Sequence, residues 1–449
     1  MSMTDESIPR LFGTNGIRGI PNDDLTPEFA VEIGMAIGTF VRGRIAISMD
    51  NRLSGPMLLN AVNSGILATG CETVNVGVLP TPGIQYYCKS RNVFGVMITA
   101  SHNPPKFNGI KCIDPDGTEL PRYKEMEIEK IYHKRSFAIS SWENIGRETY
   151  DNSAFELYVN GVLDKVDKTL ISKRKFKVAF DAGNGAAYLT TPEILTRLKC
   201  NLTTLNANPD GLFTSRPSEP KPENLKKLVS LMKTGEFDIG IAHDGDADRV
   251  VFIDENGNFI DGDTTLTLFA KLFLKNGETI VTPVSSSNAI DIVAKANGAK
   301  VIRTKVGAPI VSRAMIENKA FIGGEENGGF IYGKHQYCRD GAMAVALMLD
   351  LMAREDKPLS EIISSVPRFY IIRESVKYSG NWPEVMEKIK GHFKGWAFDH
   401  TDGIKAIMGE DWVLIRPSGT EPIIRIFGQS ESMERAYQLA EDSRTLIAS

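Results

Sequence analysis

Short apolar runs alternate along the chain with segments whose apolar residues recur at helical spacing. An early helix should begin at Thr26-Pro27-Glu28, which supplies an N-cap, a proline for the first turn and an acidic residue near the helix N-terminus. Its apolar residues follow at helical spacing: Phe29, Ile33, Ile37 and Phe40. Strands that alternate with helices in this way predict a mainly parallel sheet covered on both faces.

The alternation restarts twice, at a strand near Phe176 and at a helix near Asp263. We therefore predict three similar α/β/α domains with mixed, mainly parallel sheets. From about Phe369 the pattern changes to strand-like runs and one closing helix, which is typical of an α+β domain. Residues 133–151 lack a clear period and are interpreted as a linker. A chain of 449 residues is too long for one core, and the predicted domains are 1–150, 151–255, 256–366 and 367–449.

The composition, 42% hydrophobic and 24% charged residues, is that of a soluble globular protein. A formal net charge of −4 gives no reason to expect binding to nucleic acid or to an anionic membrane. No apolar run approaches the roughly 20 residues that span a bilayer, and Asp5 and Glu6 argue against a signal peptide. The five cysteines are scattered without a C-x-x-C pair, which argues against structural zinc and disulfides. We therefore expect a cytoplasmic protein.

The apolar run Val96-Met97-Ile98 leads into a polar loop that contains Ser101 and His102. Open α/β sheets carry their chemistry in loops at the carboxyl ends of parallel strands, although a lone serine there also fits a local turn. Ser101 would need activation or prior phosphorylation, and it lies outside any G-x-S-x-G elbow. His102 is a candidate base, unless it is a structural histidine. Lys111 is a candidate for charge balance or proton transfer, unless it is a surface lysine.

A second polar loop places the carboxylates of Asp244, Asp246 and Asp248 at alternating positions after another apolar run. Oxygen ligands suit a hard cation such as Mg²⁺, and we interpret the loop as a metal site. The loop also resembles an EF-hand calcium loop, in which Glu255 falls at the twelfth position but Arg249 stands where glycine is expected. It is further compatible with a phosphatase D-x-D motif that uses Asp244 as nucleophile, and with a solvated acidic turn.

Two further loops carry groups that suit a sugar phosphate. Glu325 and Asn327 lie in a glycine-rich loop and can bind vicinal hydroxyls, or can occupy a plain turn. Near the C-terminus, guanidinium groups, hydroxyls and backbone N–H groups occur together in a pattern that matches phosphate oxygens. These residues are Arg416, Ser418, Gly419, Thr420 and Arg425. An ordinary hairpin turn is the alternative interpretation.

Taken together, the four loops resemble those of the α-D-phosphohexomutase superfamily, and the resemblance covers essentially the whole chain. Residues 99–104 (Thr-Ala-Ser-His-Asn-Pro) resemble the family's phosphoserine loop, and residues 244–249 its magnesium loop. Residues 324–329 resemble its sugar-recognition loop, and residues 416–422 its phosphate-binding loop. The family's fold, three similar α/β domains and a fourth domain around a central cleft, agrees with the organisation predicted above. Residues 12–19 are similar to the opening of phosphoglucosamine mutases.

The resemblance assigns roles to individual residues. The implied catalytic residues are Ser101, His102, Lys111, Arg18 and Arg249. The implied magnesium ligands are Ser101, as the phosphoserine, with Asp244, Asp246 and Asp248. The implied substrate-binding residues are Glu325, Asn327, Arg416, Ser418, Gly419, Thr420 and Arg425. The sugar loop departs from the family pattern, since Asn327 stands where serine is common and Gly329 where histidine is common; His335 is a candidate substitute for that histidine.

The resemblance also implies a reaction, the transfer of a phosphoryl group between O6 and O1 of a hexose phosphate through a phosphoserine and a 1,6-bisphosphate intermediate. The opening motif favours conversion of glucosamine 6-phosphate to glucosamine 1-phosphate, and a phosphomannomutase/phosphoglucomutase activity is the alternative. A metal-dependent sugar phosphatase and a non-catalytic phosphosugar-binding protein are the rival interpretations. The expected partners are a small hexose phosphate, Mg²⁺ and a hexose 1,6-bisphosphate activator, with no nucleic acid or membrane, in a monomer or homodimer.

Overall fold

The computed structural model describes residues 9–13, 15–378, 380–418 and 423–448. Five residues of the sequence motifs lie outside the described residues: Thr14, Gly419, Thr420, Glu421 and Pro422. No helix within the described ranges is both long and apolar enough to cross a membrane.

The chain divides into two compact units. The first unit combines residues up to Ile260 with Gly329–Ile362. The second unit combines Asp261–Gly328 with the residues from Ile363 onward.

The first unit opens with a six-stranded sheet whose strands are β1 (Ile17–Gly19), β2 (Ile45–Met49), β3 (Thr73–Val78), β4 (Phe94–Ile98), β5 (Asn108–Ile113) and β6 (Glu148–Tyr150). The strand order is β1-β5-β4-β2-β3-β6. Strands β4, β2, β3 and β6 are parallel, whereas β5 is antiparallel to both of its neighbours. The accompanying helices are α1 (Pro27–Val41), α2 (Gly55–Ala68), α3 (Thr81–Arg91) and α4 (Arg122–His133).

Helix α1 begins where the sequence predicts. The Thr26 hydroxyl accepts the Phe29 N–H at 3.2 Å, and Pro27 occupies the first turn, where its missing N–H costs nothing. Ile33 and Ile37 are fully buried and share one apolar cluster with Ile47 of β2. The apolar face of α1 therefore fixes the helix in the core beside β2.

The segment 133–151, interpreted as a linker, contains strand β6. This strand pairs in parallel with β3, with Glu148 opposite Thr73 and Tyr150 opposite Asn75. A strand of three residues is too short to show an alternating pattern, which explains why the sequence did not reveal it.

A second sheet of the first unit has the strand order β11-β10-β9-β7-β8. Strands β8, β7 and β9 are parallel, and β10 and β11 continue the sheet with antiparallel pairing. The elements in chain order are α5 (Ala154–Leu163), α6 (Lys168–Arg174), β7 (Lys177–Asp181), α7 (Thr190–Arg197), β8 (Asn201–Leu205), α8 (Lys226–Met232), β9 (Ile239–His243), β10 (Val250–Ile253) and β11 (Phe259–Ile260). The acidic loop thus connects β9 to β10.

The second unit begins with a third α/β segment. Its elements are α9 (Gly262–Phe273), β12 (Thr279–Pro283), α10 (Ala289–Ala296), β13 (Lys300–Thr304), α11 (Ala308–Glu317) and β14 (Ile322–Glu325). Strand β12 is central and pairs in parallel with both β13 and β14. The side chain of Asp261 caps α9 by accepting the Thr264 N–H at 2.8 Å.

The chain then contributes β15 (Gly329–Tyr332), α12 (Gly341–Glu355) and α13 (Leu359–Ile363), most of which belongs to the first unit. The sequence pattern did not predict α12. Every residue from Gly341 to Ala353 is buried, so the helix lacks the polar face that makes a helical period visible. Asp340 caps this helix by accepting the Met343 N–H, and it also accepts the Tyr158 hydroxyl of α5 at 2.8 Å.

The C-terminal part of the second unit is an antiparallel sheet with two helices. Its elements are β16 (Tyr370–Lys377), α14 (Trp382–His392), β17 (Ala397–Asp399), β18 (Ile404–Met408), β19 (Asp411–Pro417), β20 (Ile423–Ser430) and α15 (Met433–Ala448). The strand order is β16-β20-β19-β18-β17. The fold class predicted from the sequence is confirmed: three α/β segments with mixed, mainly parallel sheets precede an α+β domain.

Candidate active site

Ser101 follows β4 in a conformation that its neighbours enforce. Its φ of +53° lies in the left-handed region, which costs an L-residue about 1–2 kcal/mol. The Ser101 N–H donates to Thr99 Oγ1 at 2.9 Å, and the side chain is almost fully buried. The Ser101 hydroxyl donates to Asp244 Oδ2 at 2.8 Å. Within the first unit, this bond joins the serine loop (residues 99–104) directly to the acidic loop (residues 244–249).

The acidic loop gathers its three carboxylates as the sequence predicts. Asp244, Asp246 and Asp248 are all buried, and each offers a carboxylate oxygen within 4.8 Å of the others. Within the described part of the chain, the buried Oδ1 atoms of Asp246 and Asp248 accept no hydrogen bond. Buried carboxylate oxygens that converge without donors fit a hard divalent cation, so these residues could hold Mg²⁺.

Several groups counter the negative charge of the three aspartates. Lys111 Nζ lies 2.8 Å from Asp246 Oδ2 and 3.7 Å from Asp248 Oδ2. The Thr81 hydroxyl donates to Asp246, and Arg339 donates to Asp248. The sequence pointed to Lys111 but gave no sign that Thr81 and Arg339 belong to this cluster.

The electrostatics of the aspartates reflect this arrangement. Burial, and then the neighbouring charges of Asp248 and Asp246, raise the pKa of Asp244 well above its ordinary value. Burial also opposes ionisation of Asp246, but the ammonium of Lys111 reverses this effect and holds the pKa of Asp246 below its ordinary value. Repulsion between close carboxylates is what a bound divalent cation relieves.

Three more residues predicted to be catalytic also lie in the first unit. Arg18 Nη1 donates to Asn103 Oδ1 of the serine loop at 2.9 Å. The Arg249 N–H donates to Asp244 Oδ1 at 3.2 Å, and its guanidinium lies 3.9 Å from Asp248. His102 Nδ1 is 3.3 Å from Ser101 Oγ. Burial, and then the charges of Arg249 and Arg18, lower the pKa of His102 well below its ordinary value, so its ring is neutral at physiological pH.

The position of strand β10 is incompatible with an EF-hand calcium loop. Strand β10 begins at Val250, two residues after Asp248, so the loop ends too early. Glu255 instead binds the hydroxyl and the N–H of Ser360. The acidic loop is therefore a compact three-carboxylate cluster.

The sugar-loop residues lie in the second unit. Glu325 ends β14 and is buried, and its Oε1 accepts the Gly307 N–H at 3.0 Å. Asn327 is half-buried in the turn that follows. His335, the candidate substitute for the missing sugar-loop histidine, has a completely buried side chain in the first unit, and its proposed role stays a prediction. There it stacks on Tyr86 with ring centroids 4.6 Å apart.

The described residues of the phosphate loop lie at the ends of β19 and β20, on either side of residues 419–422, which are outside the described ranges. Arg416 and Arg425 are directly opposite each other on these strands, so their side chains emerge on the same face. Like charges at such positions repel each other unless an anion lies near them. The carboxylate of Asp402 supplies one negative charge there, with its Oδ2 at 2.7 Å from Arg416 Nε. The Ser418 N–H donates to the Ile423 carbonyl at 2.8 Å.

Comparisons with known proteins match each of the four parts of the chain. Four sequence profiles of one family match in order: phosphoglucomutase/phosphomannomutase alpha/beta/alpha domain I at residues 9–139, domain II at 156–257, domain III at 261–370 and the C-terminal domain at 376–446.

Individual relatives agree with this result. The chain is 44% identical to the phosphoglucomutase/phosphomannomutase of Thermococcus kodakarensis, over 96% of this chain and 97% of that protein. It is 39% identical to the phosphoglucosamine/phosphogalactosamine mutase of Sulfurisphaera tokodaii, over 98% and 99% of the two chains. A crystal structure of a phosphoglucomutase/phosphomannomutase family protein from Burkholderia thailandensis superimposes with a TM-score of 0.87 at 26% identity, over 97% of this chain and 96% of that one. The chain therefore belongs to the phosphoglucomutase/phosphomannomutase family and is a phosphohexomutase, an isomerase.

Proposed function

We propose that this enzyme moves a phosphoryl group between O6 and O1 of a hexose phosphate by way of a phosphoserine at Ser101. The observation that carries the proposal is the bond of 2.8 Å from the Ser101 hydroxyl to Asp244, inside a buried cluster of three aspartates. A serine hydroxyl held against a carboxylate of a candidate metal site is suited to carry a phosphoryl group, whose oxygen would be a further ligand for a bound cation.

The first unit supplies the groups for phosphoryl transfer. Asp244, Asp246 and Asp248 would hold Mg²⁺, which when bound neutralises charge on the transferring phosphoryl group. Lys111 and the guanidinium groups near the serine loop add positive charge that does not depend on the metal. Phosphoryl transfer depends mainly on position and electrostatics, and these are what the buried cluster provides.

The second unit supplies groups for the rest of the substrate. Arg416 and Arg425, opposite each other across two strands, suit the phosphate that is not reacting. Glu325 and Asn327 suit sugar hydroxyls. The roles proposed for Ser418, Gly419 and Thr420 rest on the family motif.

The two phosphates of the intermediate must exchange places. Phosphorylated Ser101 donates its phosphoryl group to the free hydroxyl of the sugar and produces a bound 1,6-bisphosphate. After the bisphosphate reverses its orientation, the other phosphate returns to Ser101. The phosphoserine is thus restored, and the sugar leaves with its phosphate on the other carbon.

The preferred substrate we propose is glucosamine 6-phosphate, which is converted to glucosamine 1-phosphate. The motif at residues 12–19 and the relative named phosphoglucosamine/phosphogalactosamine mutase support this choice. A phosphomannomutase/phosphoglucomutase activity is the second candidate, and the relative that is 44% identical carries that name. The domain boundaries, the cytoplasmic location and the monomeric or dimeric state stay predictions.

The test is mutase flux from glucosamine 6-phosphate, mannose 1-phosphate and glucose 1-phosphate, each with Mg²⁺ and a matching bisphosphate. We expect the fastest turnover with glucosamine 6-phosphate and none for Ser101→Ala. Faster turnover of the neutral sugars would favour the second candidate. Phosphate release without isomerisation would instead indicate a phosphatase. The absence of both flux and a phosphoenzyme would indicate a binding protein.

A further comparison separates the roles of the two units. Arg416→Ala should mainly raise KM, because Arg416 would hold the phosphate that does not react, whereas Ser101→Ala should mainly abolish kcat. Equal losses in both parameters for both variants would contradict this division.

A further inference from the structure

The side chain of Arg52 is buried beneath the serine loop and uses all its donors there. Nη2 donates to the carbonyls of Ser101 and Asn103, both at 2.7 Å. Nη1 donates to the carbonyls of Pro104 and Phe107 at 2.9 and 2.8 Å. The remaining N–H, on Nε, donates to Asp50 at 3.1 Å. An arginine has five side-chain N–H groups, so one guanidinium satisfies four carbonyls of a single loop.

A second chain of hydrogen bonds links Arg52 to the backbone of Ser101. Asp50, at the end of β2, accepts the Arg52 N–H and the Thr99 hydroxyl, the latter at 2.6 Å. Thr99 Oγ1 in turn accepts the Ser101 N–H. Both the N–H and the carbonyl of Ser101 are therefore held from the same buried ion pair.

A buried ion pair of this kind is weak evidence for stability, because removing two charges from water offsets most of their attraction. The hydrogen bonds of Arg52 indicate instead that the ion pair holds the serine loop in place. The positive φ of Ser101 is unfavourable for serine and persists only where the surroundings determine it. Arg52 and Asp50 supply those surroundings.

The same device recurs at the acidic loop. Arg216 Nε donates to Asp181 at 3.0 Å, at the end of the first strand of the second sheet. Its Nη2 donates to the carbonyl of His243, immediately before Asp244. Ser218, whose carbonyl accepts a hydrogen bond from Arg216, donates to the carbonyl of His102 at 2.8 Å and links the Arg216 segment to the serine loop. A buried arginine thus binds the backbone at Ser101, and another binds the backbone next to Asp244.

We propose that Arg52 is a positioning residue for phosphoryl transfer, which holds the serine loop so that Ser101 Oγ meets the metal site. The inference rests on the proposed function of Ser101. Arg52 contacts backbone carbonyls of the loop, Asp50 and the ring of Phe213, whose centroid is 5.0 Å from its Cζ, so it acts through the loop and not on the substrate.

The test compares Arg52→Lys with Arg197→Lys, an arginine of the same unit whose guanidinium pairs with Glu156 and Glu193 on helices. A lysine has three donors and no planar fork, so it cannot hold four carbonyls. A misplacement near 1 Å costs about 100-fold in rate, and we expect such a fall in kcat for Arg52→Lys with an unchanged KM. Arg197→Lys should keep the parent kcat.

A second readout separates positioning from a loss of folded enzyme. In a loosened loop, water can attack the phosphorus of the phosphoserine, the bond to Ser101 Oγ breaks, and Oγ takes up a proton of the water. We therefore expect more inorganic phosphate released per isomerisation in Arg52→Lys. A smaller folded fraction would lower kcat and leave that ratio unchanged.

If Arg52→Lys does not fold, Thr99→Val serves in its place, because it removes only the link between Asp50 and the Ser101 N–H. For Thr99→Val we expect a smaller fall in kcat and a smaller rise in inorganic phosphate released per isomerisation. Parent kcat and parent phosphate release in the folded variants would overturn the inference. An inactive parent enzyme would refute the proposed function itself, so the two failures are distinguishable.

Discussion

Glycine at position 245 allows the acidic loop to pass directly beside the serine loop. A Cβ at Gly245 would lie 2.5 Å from the carbonyl oxygen of Ser101, whereas ordinary contacts begin at 3.4 Å. Gly245→Ala would therefore have to separate the loops by about 3.4 − 2.5 = 0.9 Å. The Ser101 carbonyl cannot retreat freely, because Arg52 holds it at 2.7 Å.

A shift of this size is large for the chemistry. Applied along the bond from Ser101 Oγ to Asp244 Oδ2, it would lengthen the distance from 2.8 Å to about 3.7 Å, beyond any hydrogen bond. Misplacement near 1 Å typically costs up to 100-fold in rate, or about 2.7 kcal/mol. We expect kcat to fall between about tenfold and 100-fold, with a loss of stability of about 1–3 kcal/mol from overpacking.

The assay measures mutase kcat at saturating Mg²⁺ and substrate, with thermal unfolding measured on the same preparations. Gly43→Ala is the matched control, because its Cβ would meet no atom closer than 3.8 Å. The control should keep the parent kcat. A Gly245→Ala enzyme with the parent kcat and the parent level of Ser101 phosphorylation would refute the reasoning that close contact of the two loops sets the geometry.

Three further substitutions test the roles of buried polar side chains. Lys111→Met removes the ammonium at 2.8 Å from Asp246, so kcat should fall about 100-fold, measured as mutase flux; an unchanged kcat would contradict its role. Thr81→Val removes a hydrogen bond to Asp246 and should raise the Mg²⁺ concentration for half-maximal activity about tenfold, and an unaltered titration would argue against this metal site. Burial, and then the charge of Arg303, lower the pKa of Lys405 from 10.5 to about 7. The unfolded chain binds this proton more tightly, so Lys405 makes stability rise with pH between these values, and Lys405→Met should flatten the rise in thermal unfolding midpoints.

The sequence predicted the fold well wherever elements show a period. Helix α1 and the parallel strands follow from spacing and caps. Helix α12 is buried on all sides, and β6 is only three residues long, so neither produced a readable pattern.

The candidate site was predictable loop by loop but not as an assembly. Each functional loop follows an apolar run, and its residue types show its chemistry. The bond between Ser101 and Asp244, however, joins residues 143 positions apart, and Arg339 meets Asp248 across 91 positions. Such contacts depend on how the two sheets of the first unit pack. The role of Arg52 was hidden for a different reason, because its partners are backbone carbonyls, which carry no residue identity.

The most direct test of the central claim follows the phosphoryl group itself. The enzyme is incubated with radiolabelled hexose 1,6-bisphosphate and Mg²⁺, isolated, and then mixed with unlabelled hexose 6-phosphate. We expect label on Ser101, none on Ser101→Ala, and transfer of that label to the sugar at least as fast as turnover. Label found on Asp244, or label leaving Ser101 only as inorganic phosphate while isomerisation continues, would contradict that claim.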